Sequence, residues 1–332
     1  MKKTVRIVCL ALVAALAASA LFSCAGLKNK KVVMRLGSYD VTYDVYRFAV
    51  LTEKAAMKIK YGDGVFDGER DDRIEDELRE RTVSYLRGLY AIPALAADYG
   101  IKADDEAIRI LTGEKKKDDV ASVGGEDAFR EELGNNNMTE DVYDLMASYL
   151  VMSDETFSAM MREGDIDTDP GHVREYLAGD GCIRILEVLI SKEKHTDDEA
   201  KKIALEVRDA ALSAADPAGG DFYDLVMEYG ENIDMFNNPD GYYMMRGVWN
   251  RDFEDAAFSL DVGEISEVIE TPRGFSVLIR LEKSEEYIDR RIDSLTEDYY
   301  DSVFALAKEK KGGELEMKTE KVYDKIDIWK LK

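Results

Sequence analysis

The chain has 332 residues, 45% of them hydrophobic and 34% charged, and its formal charge is -24. That length can bury a sizeable core and suggests about two domains. So acidic a surface repels phosphate backbones and anionic headgroups, which argues against nucleic acid as a partner and against electrostatic membrane binding.

Residues 1–23 join a basic start, "MKKTVR", to an apolar run that ends before Cys24, the pattern of a secretory signal peptide rather than a spanning helix. The stretch "LFSCAG", with Leu21, Ser23 and Cys24, resembles a bacterial lipobox, although Phe22 is bulkier than usual. The resemblance implies cleavage before Cys24 and lipidation of that residue, with 24–30 as a lipid-anchored tether. Two or three acyl chains, at ~0.8 kcal/mol per buried CH₂, hold where one does not. An ordinary signal peptide or an uncleaved anchor is the alternative, and each places the protein on the extracytoplasmic side. A lipidated Cys24 leaves Cys182 unpaired, so no intramolecular disulfide is expected and Cys182 reads as a small buried hydrophobe.

Beyond the tether, "VVMRLGSYDVTYDVY" predicts two short strands about a Gly-Ser turn and a helix opening near Thr42. Helical spacing of Ile74, Leu78, Leu86 and Leu89 predicts a helix over Glu69 to Tyr99, closed by Gly100. "IKADDEAIRIL" opens another helix, and "GEKKKDDVASVGG" reads as a charged break. A further helical block spans 126–152 with a turn at Asn135 to Asn137, and "DTDPGHVREYL" begins one more helix. From Gly181 the texture changes. "CIRILEVLIS" is a strand, helices follow at 196–214 and 221–230, an irregular stretch leads to the short helix "RDFEDAAFSL", and two strands flank a Pro-Arg-Gly turn in "GEISEVIETPRGFSVLIRLEK". A long charged helix, "SLTEDYYDSVFALAKEKK", and a terminal strand, "VYDKIDIWKL", complete the reading.

Residues 181–283 resemble a parvulin-type peptidyl-prolyl isomerase domain. In "FEDAAFSLDVGEISEVIETPRGFSVLIRLE", Phe253, Ala256, Ala257, Phe258, Leu260, Gly263, Glu264, Ser266, Val268, Thr271 and Gly274 stand at the family's spacing. The flanks 31–180 and 284–332 resemble the helical chaperone region of extracytoplasmic foldases of the PrsA and SurA type. The resemblance implies an α+β fold: a mainly helical chaperone domain built from both chain ends, with an inserted parvulin-like module of FKBP-like antiparallel sheet plus helices.

An X-Pro bond isomerises over a barrier of about 18–20 kcal/mol. A catalyst must hold the ring in an apolar pocket, exclude water and favour the twisted amide; it requires no cofactor and no metal. By the resemblance, Trp249, Phe253 and Met244 match the ring pocket, and Asn250 a donor toward the peptide backbone. If the helix has begun, Trp249 and Phe253 share one of its faces. Phe258 reads as core. The family's Gly-Asp-Leu-Gly turn is altered to Pro239-Asp240-Gly241-Tyr242, which leaves the register there open by one residue. The polar end departs further: the two family histidines are replaced by Glu187 and Ser276, and the Cys or Asp position falls on Asn232, with Glu231 or Asp234 as alternatives. Thr271 is retained. A hydrogen-bonded chain of Glu187 with Ser276, Thr271 and Asn232 is geometrically feasible, while His172 and His195 read as solvated surface residues.

The resulting expectation is a membrane-anchored extracytoplasmic foldase for unfolded, newly secreted polypeptides and proline-containing segments, with weak or lost isomerase activity. The membrane would be met through the lipid anchor only, and a homodimer is possible. The alternatives are a fully active isomerase with a rewired polar site, and a non-catalytic envelope interaction lipoprotein.

Overall fold

The structure, a computed structural model, describes residues 30–332. The signal peptide, Cys24 and the tether up to residue 29 lie outside the described residues. The described residues divide into two compact units, one formed by those up to Asp154 together with Glu314–Lys332, the other by Glu155–Gly313.

In the first unit, β1 (Val32–Leu36) and β2 (Tyr39–Thr42) form an antiparallel hairpin. The other edge of β1 is taken by Met317–Thr319, β7 in chain order, so both chain ends share one three-stranded sheet. Around it stand α1 (Tyr43–Tyr61), α2 (Asp72–Asp98), α3 (Glu106–Ser122), α4 (Glu126–Asn135) and the first part of α5 (Glu140–Glu163). Helix α2 starts at Asp72 rather than at the expected Glu69 because the Asp71 carboxylate accepts from the N–H groups of Arg73 and Ile74, at 2.9 and 3.3 Å. Met34, Leu36, Tyr46, Leu78, Leu86, Tyr90 and Met152 bury together with Ile328 and Trp329. Each such side chain contributes about 1.5–3 kcal/mol by leaving water.

Two expectations for this unit fail. The charged run 113–125 is not a break: α3 continues through it to Ser122. Its charges lie on a solvated helix face, where Lys115 Nζ meets Asp119 at 3.0 Å and Lys116 Nζ meets Asp144 at 2.7 Å. The chain turns only at Gly124 and Gly125, both at positive φ. The terminal segment is not a strand over 322–331 either. It folds as two single-turn 3₁₀ pieces, Tyr323–Lys325 and Ile328–Lys330. Ile328 and Trp329, adjacent in sequence, are both buried, which strict alternation forbids.

Lys54 secures that terminal segment. Its ammonium donates to the carbonyls of Trp329 (2.8 Å) and Leu331 (2.9 Å) and stands 4.6 Å from the Phe66 ring centroid. Burial, followed by the nearby Lys58, lowers its pKa to about 8. Between that value and the ordinary 10.5, the unfolded chain binds more protons than the folded one. This group therefore makes the folded state more stable as pH rises through that window. Denaturation followed by Trp329 fluorescence should show that gain, and Lys54→Met should remove it; an unchanged slope in the variant would exclude Lys54 as its source.

The second unit is built on a four-stranded antiparallel sheet in the order β4-β3-β6-β5: Tyr242–Met245, Cys182–Ser191, Gly274–Leu281 and Ile269–Thr271. Its helices are α6 (Pro170–Ala178), α7 (Asp197–Ser213), α8 (Asp221–Tyr229), α9 (Ile233–Phe236), α10 (Arg251–Ser259), α11 (Glu285–Arg290) and α12 (Ile292–Glu314). Thr196 and Glu199 form a full capping box that starts α7. On one sheet face, Leu186, Val188 and Ile190 of β3 join Phe275, Val277 and Ile279 of β6 against α7 and α8. On the other, Ile183, Ile185, Met244 and Leu278 pack against α10.

The unit extends beyond 181–283 because α6, α11 and α12 bury Val173, Leu177, Tyr287, Ile288 and Leu295 around Cys182, Tyr243 and Met245. Cys182 is fully buried, as expected, and burial pushes its thiol up to about 12. The stretch expected to be irregular holds α9 and β4, each only four residues long and too short for periodicity to reveal. Gly274 is required where β6 begins. Its φ is +156°, and a Cβ there would stand 2.0 Å from the Ile190 carbonyl oxygen.

Candidate functional site

The sheet face covered by α10 carries two polar side chains among its aliphatic ones. Leu189 of β3 pairs with Ser276 of β6, and Glu187 with Leu278, so Glu187 and Ser276 are diagonal neighbours. The Ser276 hydroxyl donates to Glu187 Oε1 at 2.7 Å. Asn232 Nδ2 donates to Glu187 Oε2 at 2.9 Å and to the Tyr242 hydroxyl at 2.8 Å. Exposure is 0% for Ser276, 2% for Asn232 and 6% for Glu187. A carboxylate so placed is costly unless both oxygens are bonded, and here both are.

The loop after α8 delivers Asn232. Glu231 N donates to Leu189 O at 2.9 Å, and Ser191 N donates to Glu231 Oε2 at 2.7 Å, so this loop is laced to the end of β3. The Asn232 side-chain Oδ1 also caps α9, accepting from Asp234 N at 3.3 Å. Of the three positions weighed for the family's Cys or Asp, Asn232 is therefore the one bonded to Glu187. Glu231 instead faces His195, whose Nε2 lies 3.1 Å from Glu231 Oε1, and Asp234 is exposed. This revises the expectation for His195: it is a half-buried partner of Glu231, not a solvated residue. His172 is exposed as expected, and its hydrogen bond to Asp167 raises its pKa.

Thr271 does not bond to Glu187. Its hydroxyl accepts from Arg273 N at 3.3 Å and donates to Gly274 O at 3.1 Å, closing the β5–β6 turn. Asn250 likewise works locally, as the N-cap of α10, with Oδ1 accepting from Phe253 N at 3.3 Å. Trp249 precedes that helix, so the pair does not share a helical face. Its ring nonetheless stacks on Phe253 at 5.8 Å between centroids and meets Tyr242 at 5.2 Å. Phe253 is 6% exposed and Met244 fully buried, which leaves half-buried Trp249 and Tyr242 as the accessible part of the aromatic group. Phe258 is only half-buried, with the Arg246 guanidinium 4.1 Å above its ring.

Tyr242 and Arg273 were missed as site residues. Tyr242 bridges the polar and aromatic halves, and burial raises its pKa. It lies in the altered turn, where the family pattern gives no register. Arg273 reaches Asn232 Oδ1 at 3.5 Å.

Residues 177–284 match the PPIC-type PPIASE domain family. The matched segment is thus similar to parvulin-type domains. It supplies all four strands of the second unit's sheet and every residue of the Glu187 cluster. The chain is also similar to two proteins named foldase protein PrsA. One, from Oceanobacillus iheyensis, is 27% identical over 219 residues, covering 58% of this chain and 71% of the relative. The other, from Bacillus subtilis, is 24% identical over 139 residues, covering 41% of this chain and 43% of the relative, so that match spans less than half its length. Crystal structures of PrsA from Bacillus anthracis and Bacillus subtilis align at 17% and 18% identity. They cover 69% and 86% of this chain and 95% and 93% of theirs, with TM-scores of 0.31 and 0.27.

Proposed function

We propose that this protein is a foldase-type chaperone that binds extended, proline-containing segments of unfolded polypeptides and isomerises them weakly or not at all. The signal and lipobox patterns support an extracytoplasmic site of action with a lipid anchor at Cys24. One observation carries the catalytic half of the reading: Ser276, Glu187 and Asn232 are buried and hydrogen-bonded to one another. Both carboxylate oxygens are occupied, both Asn232 N–H groups are donated, and the Ser276 hydroxyl points inward. A twisting amide needs a group it can bond to at the transition state, and these three offer none without first breaking a buried bond. The aromatic group of Tyr242, Trp249 and Phe253 keeps a surface on which a proline ring can lie.

Binding is tested with the mature chain and an aggregation-prone unfolded client. Suppression of light scattering near stoichiometric ratios is the expected result. Unchanged scattering at tenfold excess would contradict the chaperone reading and favour an interaction lipoprotein.

A further inference from the structure

The end of the sheet beside Asn232 carries four cationic or titratable basic side chains, and three are matched by carboxylates. Lys192 meets Glu270 at 2.8 Å and Asp197 at 3.4 Å. Lys194 and His195 both face Glu231, at 3.6 and 3.1 Å. Arg273 makes no ion pair within 4 Å among the described residues; its side-chain contact is with the neutral amide of Asn232. The nearest buried carboxylate, Glu187, is already occupied by Ser276 and Asn232.

The backbone presenting this guanidinium is fixed. Arg273 N donates to the Thr271 hydroxyl, Arg273 O accepts from Lys192 N at 3.0 Å, and Gly274 admits no side chain. Arg273 is exposed, whereas Asn232 beneath it is buried. From Asn232 the contacts run through the Tyr242 hydroxyl to the Trp249 and Phe253 rings. A cation on a rigid turn is therefore linked, through Asn232 and Tyr242, to the aromatic group. Guanidinium forks suit carboxylates, with two parallel donors for two oxygens.

We infer that Arg273 is a specificity-determining residue, selecting segments that carry a carboxylate side chain within a few residues of the proline. The inference rests on the peptide-binding reading above and names its substrate class. The molecule's overall negative charge opposes acidic ligands at long range, but at physiological salt that field is screened beyond roughly 8 Å. At contact the local guanidinium governs.

The test is calorimetric titration of the mature protein, at physiological salt, with matched peptides carrying Glu, Gln or Lys two residues before proline, and a Glu peptide with alanine in place of proline. The expected order is Glu, then Gln, then Lys, with Glu binding roughly three- to tenfold tighter than Gln. Arg273→Gln should bind the Glu and Gln peptides alike, and Arg273→Lys should show an intermediate preference. Equal binding of Glu and Gln peptides by the wild type, or a Glu preference that survives in Arg273→Gln, would overturn the assignment and leave the peptide-binding reading standing. Binding of no proline peptide would overturn both.

Discussion

Glu187→Ala should lower the stability of the second unit by about 3–5 kcal/mol, because it strands two buried polar groups at once. The Ser276 hydroxyl, fully buried, loses its acceptor, and Asn232 loses one of its two N–H acceptors. Neither gains water in exchange. Glu187→Gln keeps the volume and one acceptor oxygen and should cost about half as much. Glu187→Leu combined with Ser276→Ala removes donor and acceptor together and should recover part of the loss, since an apolar pair leaves fewer orphaned groups. The chain has two tryptophans, Trp249 and Trp329. A Trp329→Phe background therefore lets urea denaturation followed by fluorescence report the second unit. If Glu187→Ala costs less than about 1 kcal/mol, the hydrogen-bonded cluster is not formed in solution.

Phe253→Ala should be comparably damaging, at about 3–5 kcal/mol, by opening a cavity beneath α10. Phe253 lies among Ile183, Ile185, Met244, Leu260 and Leu278, and these come from three strands and the end of α10, so they cannot all close onto the gap. The ring also supports Trp249, stacked on it with an interplanar angle of 22°. Phe253→Leu separates the two effects. It retains most of the volume, at a cost of about 1–1.5 kcal/mol, but removes the stacked ring. The Leu variant should fold, show altered Trp249 emission and bind proline peptides less tightly than the wild type. Unchanged peptide affinity in that folded variant would confine Phe253 to a packing role.

The parts of this fold that were legible in the sequence are those with strong local signals. The capping box at Thr196, the Asp-Pro start of α6 and the turn around Gly274 are each set by a few adjacent residues. Legibility failed where the determining contact is distant. Helix α3 buries only Ile108, so no apolar stripe marked it through its charged second half. Ile328 and Trp329 are ordered by Lys54 on α1, far away in sequence, and not by a partner strand. At the site, Glu187, Ser276 and Asn232 were singled out by the resemblance to the parvulin domain, since no local signal in the sequence marks them. Thr271, equally plausible on paper, turned to its own loop because two backbone partners lie within reach. Tyr242 was invisible because β4 spans four residues inside an altered turn.

On the proposed function, the domain retains a peptide-binding surface while its polar centre is locked in internal hydrogen bonds. Proline-limited refolding of a client in the presence of the mature protein tests it most directly. Uncatalysed isomerisation takes tens to hundreds of seconds at 25 °C, and the protein should change that rate by no more than about twofold while still binding proline peptides. An acceleration beyond about 10²-fold, the usual contribution of a positioned proton donor or acceptor, that is lost in Phe253→Leu would contradict it.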